Sequence, residues 1–154
     1  MGFADKIHQF SVDVPEQLSG TAKKVTIDLF SGVIRDTPVD TGRLRGNWQC
    51  TRGEPASGEL DVTDKSGQET INKMVQTVDS AKGDFVAYLT NNLAYAAVAE
   101  FGLWKDKDGK PANGPKTTHG YSIQAPSGMV GLNVSRINIH IKQAIAEMKS
   151  KRLT

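Results

Sequence analysis

The chain has 154 residues, enough for one domain, yet only 38% of them are hydrophobic and 6% aromatic, which is lean for a free-standing core. That leanness predicts burial completed against partner subunits. A formal net charge of +2 is too small to name nucleic acid as a partner, and a single cysteine, Cys50, excludes an intrachain disulfide or a multi-thiolate zinc site.

In chain order, Phe3, Ile7 and Phe10 fall at i, i+4, i+7 and predict a short amphipathic helical arm over 1–14. Pro15 suits the first turn of a second helix, in which Leu18, Ala22, Val25, Leu29 and Val33 form one apolar stripe. Gly20 and Gly32 weaken that helix slightly, and Asp36-Thr37-Pro38 ends it, because a residue before proline avoids the α region. Residues 47–51 read as a strand with Trp48 and Cys50 on one face, and 59–63 as a short second strand. Ser66-Gly67-Gln68-Glu69 has the form of a capping box, followed by Ile71, Met74, Val75 and Val78 at helical spacing up to about Ser80. Phe85, Ala87 and Leu89 alternate along a strand over 85–90. Asn92 suits the N-cap of a helix over 93–101, with Gly102 as its C′ glycine. A long loop follows over 103–126, rich in Gly and Pro. Ser127 can cap a last helix whose Val130, Val134, Ile137, Ile141, Ile145 and Met148 share a face, with Lys149, Lys151 and Arg152 at its C-terminal end. Ile137, Ile139 and Ile141 also alternate, which leaves a strand as the second reading there. The fold class is α+β: a long N-terminal helix and a C-terminal helix packed on a small, mostly antiparallel sheet, all in one domain over 1–154.

Chemistry is weakly signalled. His8, His119 and His140 are not at metal-ligand spacing, and Asp106-Lys107-Asp108-Gly109 is too short of acids for a calcium loop and reads as a solvated turn. Asp61, Asp64, Glu69 and Glu100 are scattered acids that only the fold could bring together. No phosphate loop, nucleophile elbow or dinucleotide fingerprint occurs. The expectation is therefore no catalysis, no cofactor and no metal. No apolar run approaches the ~18 residues that span a membrane, and no signal-peptide layout opens the chain, which predicts a cytoplasmic protein with no membrane partner. The long loop interleaves Lys105, Lys107, Lys110 and Lys116 with Trp104, His119 and Tyr121, a composition suited to partner or nucleic-acid contact.

The most telling stretch is Thr37-Pro38-Val39-Asp40-Thr41-Gly42-Arg43-Leu44-Arg45-Gly46-Asn47-Trp48. Asp40-Thr41-Gly42 reads as a turn, with an Asx-type bond from Asp40 and positive φ at Gly42. Arg43 and Arg45 in an extended chain share one face, with Leu44 pointing into the core. This stretch resembles the hallmark of minor tail or tail-completion (neck) proteins in the head–tail joining modules of tailed bacteriophages, similar to groups known from the HK97 and lambda phages. A second match is Asn91-Asn92-Leu93-Ala94-Tyr95-Ala96-Ala97-Val98-Ala99-Glu100-Phe101-Gly102, where that family carries Tyr-Ala-x-x-x-Glu-x-Gly. Ala125-Pro126 leading into the last helix is a third. The resemblance covers about 18–148, and the chain departs from it in its longer loop.

The resemblance implies a virion protein without enzymatic activity, assembled as a ring of six copies. Its partners are the head connector or stopper on one side and the tail terminator or tail tube on the other, with possible contact to packaged DNA. Interface candidates are Arg43, Arg45, Trp48, Tyr95, Glu100, Trp104, Lys107, Lys110, His119 and Tyr121, with the loop set to order on a neighbouring subunit. The competing classes are a metal-dependent phage nuclease and a DNA-binding module.

Overall fold

The computed structural model describes residues 15–152, and the arm expected over 1–14 lies outside them. The described chain is mixed α+β. Six helices, α1 (Pro15–Asp36), α2 (Arg43–Gly46), α3 (Gln68–Asp79), α4 (Ala94–Phe101), α5 (Val130–Ser135) and α6 (Ile137–Arg152), accompany two small antiparallel sheets. The first sheet pairs β1 (Gln49–Arg52) with β2 (Ala87–Thr90), in a register that sets Cys50 opposite Leu89. The second is a miniature hairpin of β3 (Thr117–Thr118) and β4 (Tyr121–Ser122).

α1 is the axis. It packs against α3 on one side and against α5 and α6 on the other. Its core face matches the predicted stripe only in part, at Val33. Val33 and Ile34 are buried, with Ile27 and Phe30 packed beside them, whereas Ala22 is exposed and Val25 and Leu29 line an open groove. Apolar residues cover more of the helix than one stripe, and tertiary packing selected the face carrying the larger side chains. α3 presents Ile71, Met74 and Val78 inward at the predicted spacing, and Met74 and Val78 are essentially out of solvent. Each such side chain contributes about 1.5–3 kcal/mol relative to exposure. Trp48, Leu93, Ala96, Ala99, Ala125 and Met129 complete the core.

Several predicted details are corrected. Residues 59–63 form no strand; the Asn47 side chain substitutes for strand pairing there, with Oδ1 accepting from the Leu60 amide at 2.7 Å and Nδ2 donating to its carbonyl at 3.1 Å. Strand β2 starts at Ala87, not Phe85, although Phe85 and Leu89 do pack on the core. The last helix is broken: Arg136, with its amide bonded back to Asn133, separates α5 from α6. The break re-phases the two pieces. In α6 Ala144 is buried, whereas Val130, Val134, Ile141 and Ile145 stand exposed. The strand alternative for 137–141 does not occur.

Asn133 explains how α5 reaches α1. Its Nδ2 donates to Asp36 Oδ2 at 2.8 Å and to the Met129 carbonyl at 2.7 Å. A Cβ on Gly32 would sit 2.2 Å from Asn133 Oδ1, so the glycine that costs α1 some helix propensity is what lets the helices meet.

Candidate assembly surface

The motif at 37–48 folds as an inward-tied knot. The buried Thr37 hydroxyl donates to the Val33 carbonyl and accepts the Trp48 Nε1–H, both at 2.7 Å. The turn's side-chain bond comes from Thr41, whose Oγ1 accepts the Arg43 amide at 3.2 Å, in place of the expected Asp40. Gly42 has φ +90, and a Cβ there would meet the Lys65 amide nitrogen at 2.7 Å. Its carbonyl accepts the amides of Gly46 and Asp64, so the chain coils into α2 and does not run extended. This coil overturns the shared face predicted for Arg43 and Arg45, while Leu44 is buried as predicted.

The two arginines part company. Arg43 is exposed and pairs with Glu59 at 3.2 Å. Arg45 turns inward, donating to the carbonyls of Lys65 (2.6 Å), Arg35 (2.8 Å) and Thr37 (2.8 Å). Burial pulls its pKa down, with Asp64 and Asp36 acting in the opposite sense. Arg45 is thus a clamp on the end of α1, where three carbonyls suit a planar fork of donors.

The second motif is also scaffold. Asn91 Nδ2 donates to the Leu44 carbonyl at 2.8 Å, joining the two motifs, and its Oδ1 accepts the Leu93 amide at 3.3 Å. Asn92 is not the cap that was expected; its amide reaches the carbonyls of Ala56 and Gly58. Glu100 caps a helix distant in sequence. Oε2 accepts the amides of Met129 (2.7 Å) and Val130 (2.8 Å), and Oε1 that of Gly131 (2.9 Å). A carboxylate on three free N–H groups at a helix start supplies both the missing acceptors and the favoured charge. Glu100, not Ser127, therefore starts α5. Gly128 permits the approach, since a Cβ there would lie 2.6 Å from the Glu100 carbonyl oxygen. Gly102 closes α4 at φ +65 with the Tyr121 ring against it.

The 103–126 segment is no structureless loop. The Trp104 amide donates to the Gly120 carbonyl, Ala112 to Trp104, and Gly120 to Ala112, which folds the segment into a hydrogen-bonded lobe. At its tip Asp106 Oδ1 accepts the amides of Asp108 and Lys110, presenting Lys107 and Lys110 to solvent. His119 is exposed at φ 49, its Nδ1 3.1 Å from the Thr118 hydroxyl. Gln124 fastens the lobe to the first motif, with Oε1 accepting the Val39 amide and Nε2 donating to its carbonyl, both at 2.9 Å.

Between lobe and motif lies a groove of about 550 Å³. It gathers Arg43, Tyr95 and Trp104 with Lys116 and Ile123. Tyr121 lies partly buried in the lobe, and Lys107, Lys110 and His119 line its exposed length. Trp48, Arg45 and Glu100 face the interior. Sequence reasoning missed Asn133 and Gln124 and the tying roles of Asn47 and Asp64, each a lone polar residue whose partner is set by the fold.

Asp64 and Glu69 border one small cavity, which Asp61 and Glu100 do not line. Asp64 Oδ1 accepts from the Gly67 amide and the Ser66 hydroxyl, and Oδ2 from the amide and hydroxyl of Thr70. Burial pushes its carboxyl up, but the bonds from Thr70, Gly67 and Ser66 outweigh that and hold it below the usual carboxylate range. Asp64 thus replaces the predicted capping box. Ser66 Oγ accepts the Gln68 amide, and Glu69 pairs with Lys73. Burial pushes the half-buried Cys50 thiol up to about 11, so it is a poor nucleophile at neutral pH. Among the described residues no three His, Cys, Asp or Glu side chains are placed to hold a metal, and no helix is long and apolar enough to cross a membrane.

What the surface does show is apolar. Phe101 is 65% exposed and Leu103 52%, flanking Gly102 at the foot of the lobe. Val130 and Val134 stand one turn apart on α5, and Ile141 and Ile145 one turn apart on α6, all exposed. No protein family, curated protein or solved structure matches the chain.

Proposed function

We propose that this chain is a structural virion protein of a tailed bacteriophage, a tail-completion or head–tail joining component built into the neck between head connector and tail tube. One observation carries the assembly part of this reading: among the described residues eleven large apolar side chains are exposed, with pairs one turn apart on α5 (Val130, Val134) and on α6 (Ile141, Ile145). Grouped apolar exposure of this kind marks surfaces that partners cover. The resemblance of the 37–48 and 91–102 segments to the neck family supplies the context. Closure into a ring of six requires heterologous contacts, in which one face of a subunit meets a different face of the next. The α5–α6 face and the lobe are two such unlike faces. The lobe, with Lys107 and Lys110 at its tip, addresses the next neck layer or the DNA that passes through the ring. The chain performs no catalysis in this reading; the carboxylates of Asp64 and Glu100 serve as helix caps.

Negative-stain imaging of the purified protein, alone and mixed with connector-bearing heads or isolated tails, tests the proposal. Closed rings, or specific density added at the head–tail junction, are expected. A strict monomer at tens of micromolar that joins neither particle contradicts it.

A further inference from the structure

Asn113-Gly114 is the sole Asn-Gly pair in the sequence, and both residues are exposed in the lobe, just before the β3–β4 hairpin. An asparagine placed before glycine can modify itself. The amide nitrogen of residue 114, with no side chain beside it to crowd the approach, attacks Asn113 Cγ. A C–N bond forms, ammonia leaves, and a five-membered imide closes. Water then opens the ring at either carbonyl, giving aspartate or isoaspartate. No other reactant is needed.

The closed lobe engages both reacting groups elsewhere. The Gly114 amide donates twice to Thr117, to its carbonyl and to its Oγ1, each at 3.0 Å. Ring closure needs that nitrogen without its proton, and bonds to the neutral N–H disfavour the anion. The Asn113 carboxamide is held as well. Its Oδ1 accepts the His119 amide at 2.7 Å, and its Nδ2 donates to the Pro111 carbonyl at 3.4 Å. The first of these bonds ties down His119, which among the described residues is the non-glycine residue at positive φ. We infer that Asn113 is a latent self-modification site gated by Thr117: the closed hairpin holds it unreacted, and opening of the hairpin lets it convert. Isoaspartate adds a methylene to the main chain and takes the anchor from His119, whose left-handed backbone is costly to hold without one. The inference is independent of the neck assignment, since it concerns one chain by itself.

Peptide mapping by mass spectrometry tests it. The full-length protein is held at mildly alkaline pH, folded or unfolded in guanidinium chloride, and conversion at Asn113 is followed with time. The folded protein is expected to convert at least roughly tenfold more slowly than the unfolded chain, because only locally opened molecules react. Thr117→Val removes Oγ1 and keeps the side-chain shape. When folded it is expected to convert roughly fivefold faster than wild type, the factor for one ordinary hydrogen bond, and when unfolded at the wild-type rate. Thr117→Ser restores the hydroxyl and is expected to convert as wild type does. In the converted protein the His119 amide is expected to lose its protection from hydrogen exchange. Equal rates for folded and unfolded wild type, no acceleration in a valine variant that melts as wild type does, or a His119 amide still protected after conversion would each overturn it. Where the valine variant loosens the lobe outright, the wild-type ratio of folded to unfolded rates decides alone.

Discussion

Glu100 shows how much one side chain can hold. Its two oxygens take three backbone amides at the start of α5, and through Gly128 the backbone presses close against it. Glu100→Ala leaves those amides without their acceptor. A loss of about 2–4 kcal/mol is expected, at the upper end for a charged acceptor serving several donors, read as a lowered urea midpoint. A loss below about 0.5 kcal/mol would show that water replaces the carboxylate. Asp64 adds a pH dependence. Its folded pKa is depressed, so its contribution is present above the unfolded value of about 3.9 and fades as pH falls through the folded pKa. The stability gap between wild type and Asp64→Asn is therefore expected to be full at pH 7 and to narrow below about pH 3.9. A gap that widens in acid would refute the cap.

Among the elements, α3 was the most legible, because Ile71, Met74, Val75 and Val78 declare a helical period that no other packing could satisfy. α4 and its Gly102 stop were legible for a similar reason, a local one. What sequence concealed were bonds between distant residues. Nothing local to Glu100 reveals that it caps a helix thirty residues on, and nothing local to Asn92 shows that its amide prefers the carbonyls of Ala56 and Gly58 over α4. The apolar stripe of α1 was right at Val33 and misled at Ala22, Val25 and Leu29, because that helix has apolar residues on more than one face. The long segment 103–126 was read correctly as something with a use and incorrectly as a loop, since its order rests on pairings such as Trp104 with Gly120 and Ala112 that carry no composition signal. Of the groove residues, Arg43, Tyr95 and Trp104 were legible candidates; that Arg45 would leave them for the interior was not.

The Gly32–Asn133 crossing is a test at the same scale. Gly32→Ala is expected to cost about 1–3 kcal/mol, because its Cβ would overlap Asn133 Oδ1. The same change made in an Asn133→Ala background is expected to cost less, giving a coupling energy of at least about 0.5 kcal/mol in a double-mutant cycle. Additive losses would mean that α1 bends away from the contact.

At the scale of the whole molecule, the domain closes its interior with polar ties and leaves apolar side chains outside. The knot at 37–48, Asn91, Glu100 and Gln124 bind α1, α4, the lobe and α5 into one body. Meanwhile Phe101, Leu103, Val134, Ile141 and Ile145 remain uncovered. This arrangement suits a rigid building block, whose surfaces are fixed before its neighbours arrive. Exposed positions of this kind tolerate substitution with changes of about 0.5 kcal/mol or less in the isolated domain. Stability and assembly can therefore be separated experimentally. The most direct measurement is light scattering across a concentration series, comparing wild type with Ile141→Glu combined with Ile145→Glu, alongside thermal unfolding of both. The account predicts a discrete oligomer for wild type and a monomer for the variant, with closely similar monomer unfolding once association is removed. A wild-type protein that stays monomeric at every concentration, or a variant that assembles just as well, would contradict it.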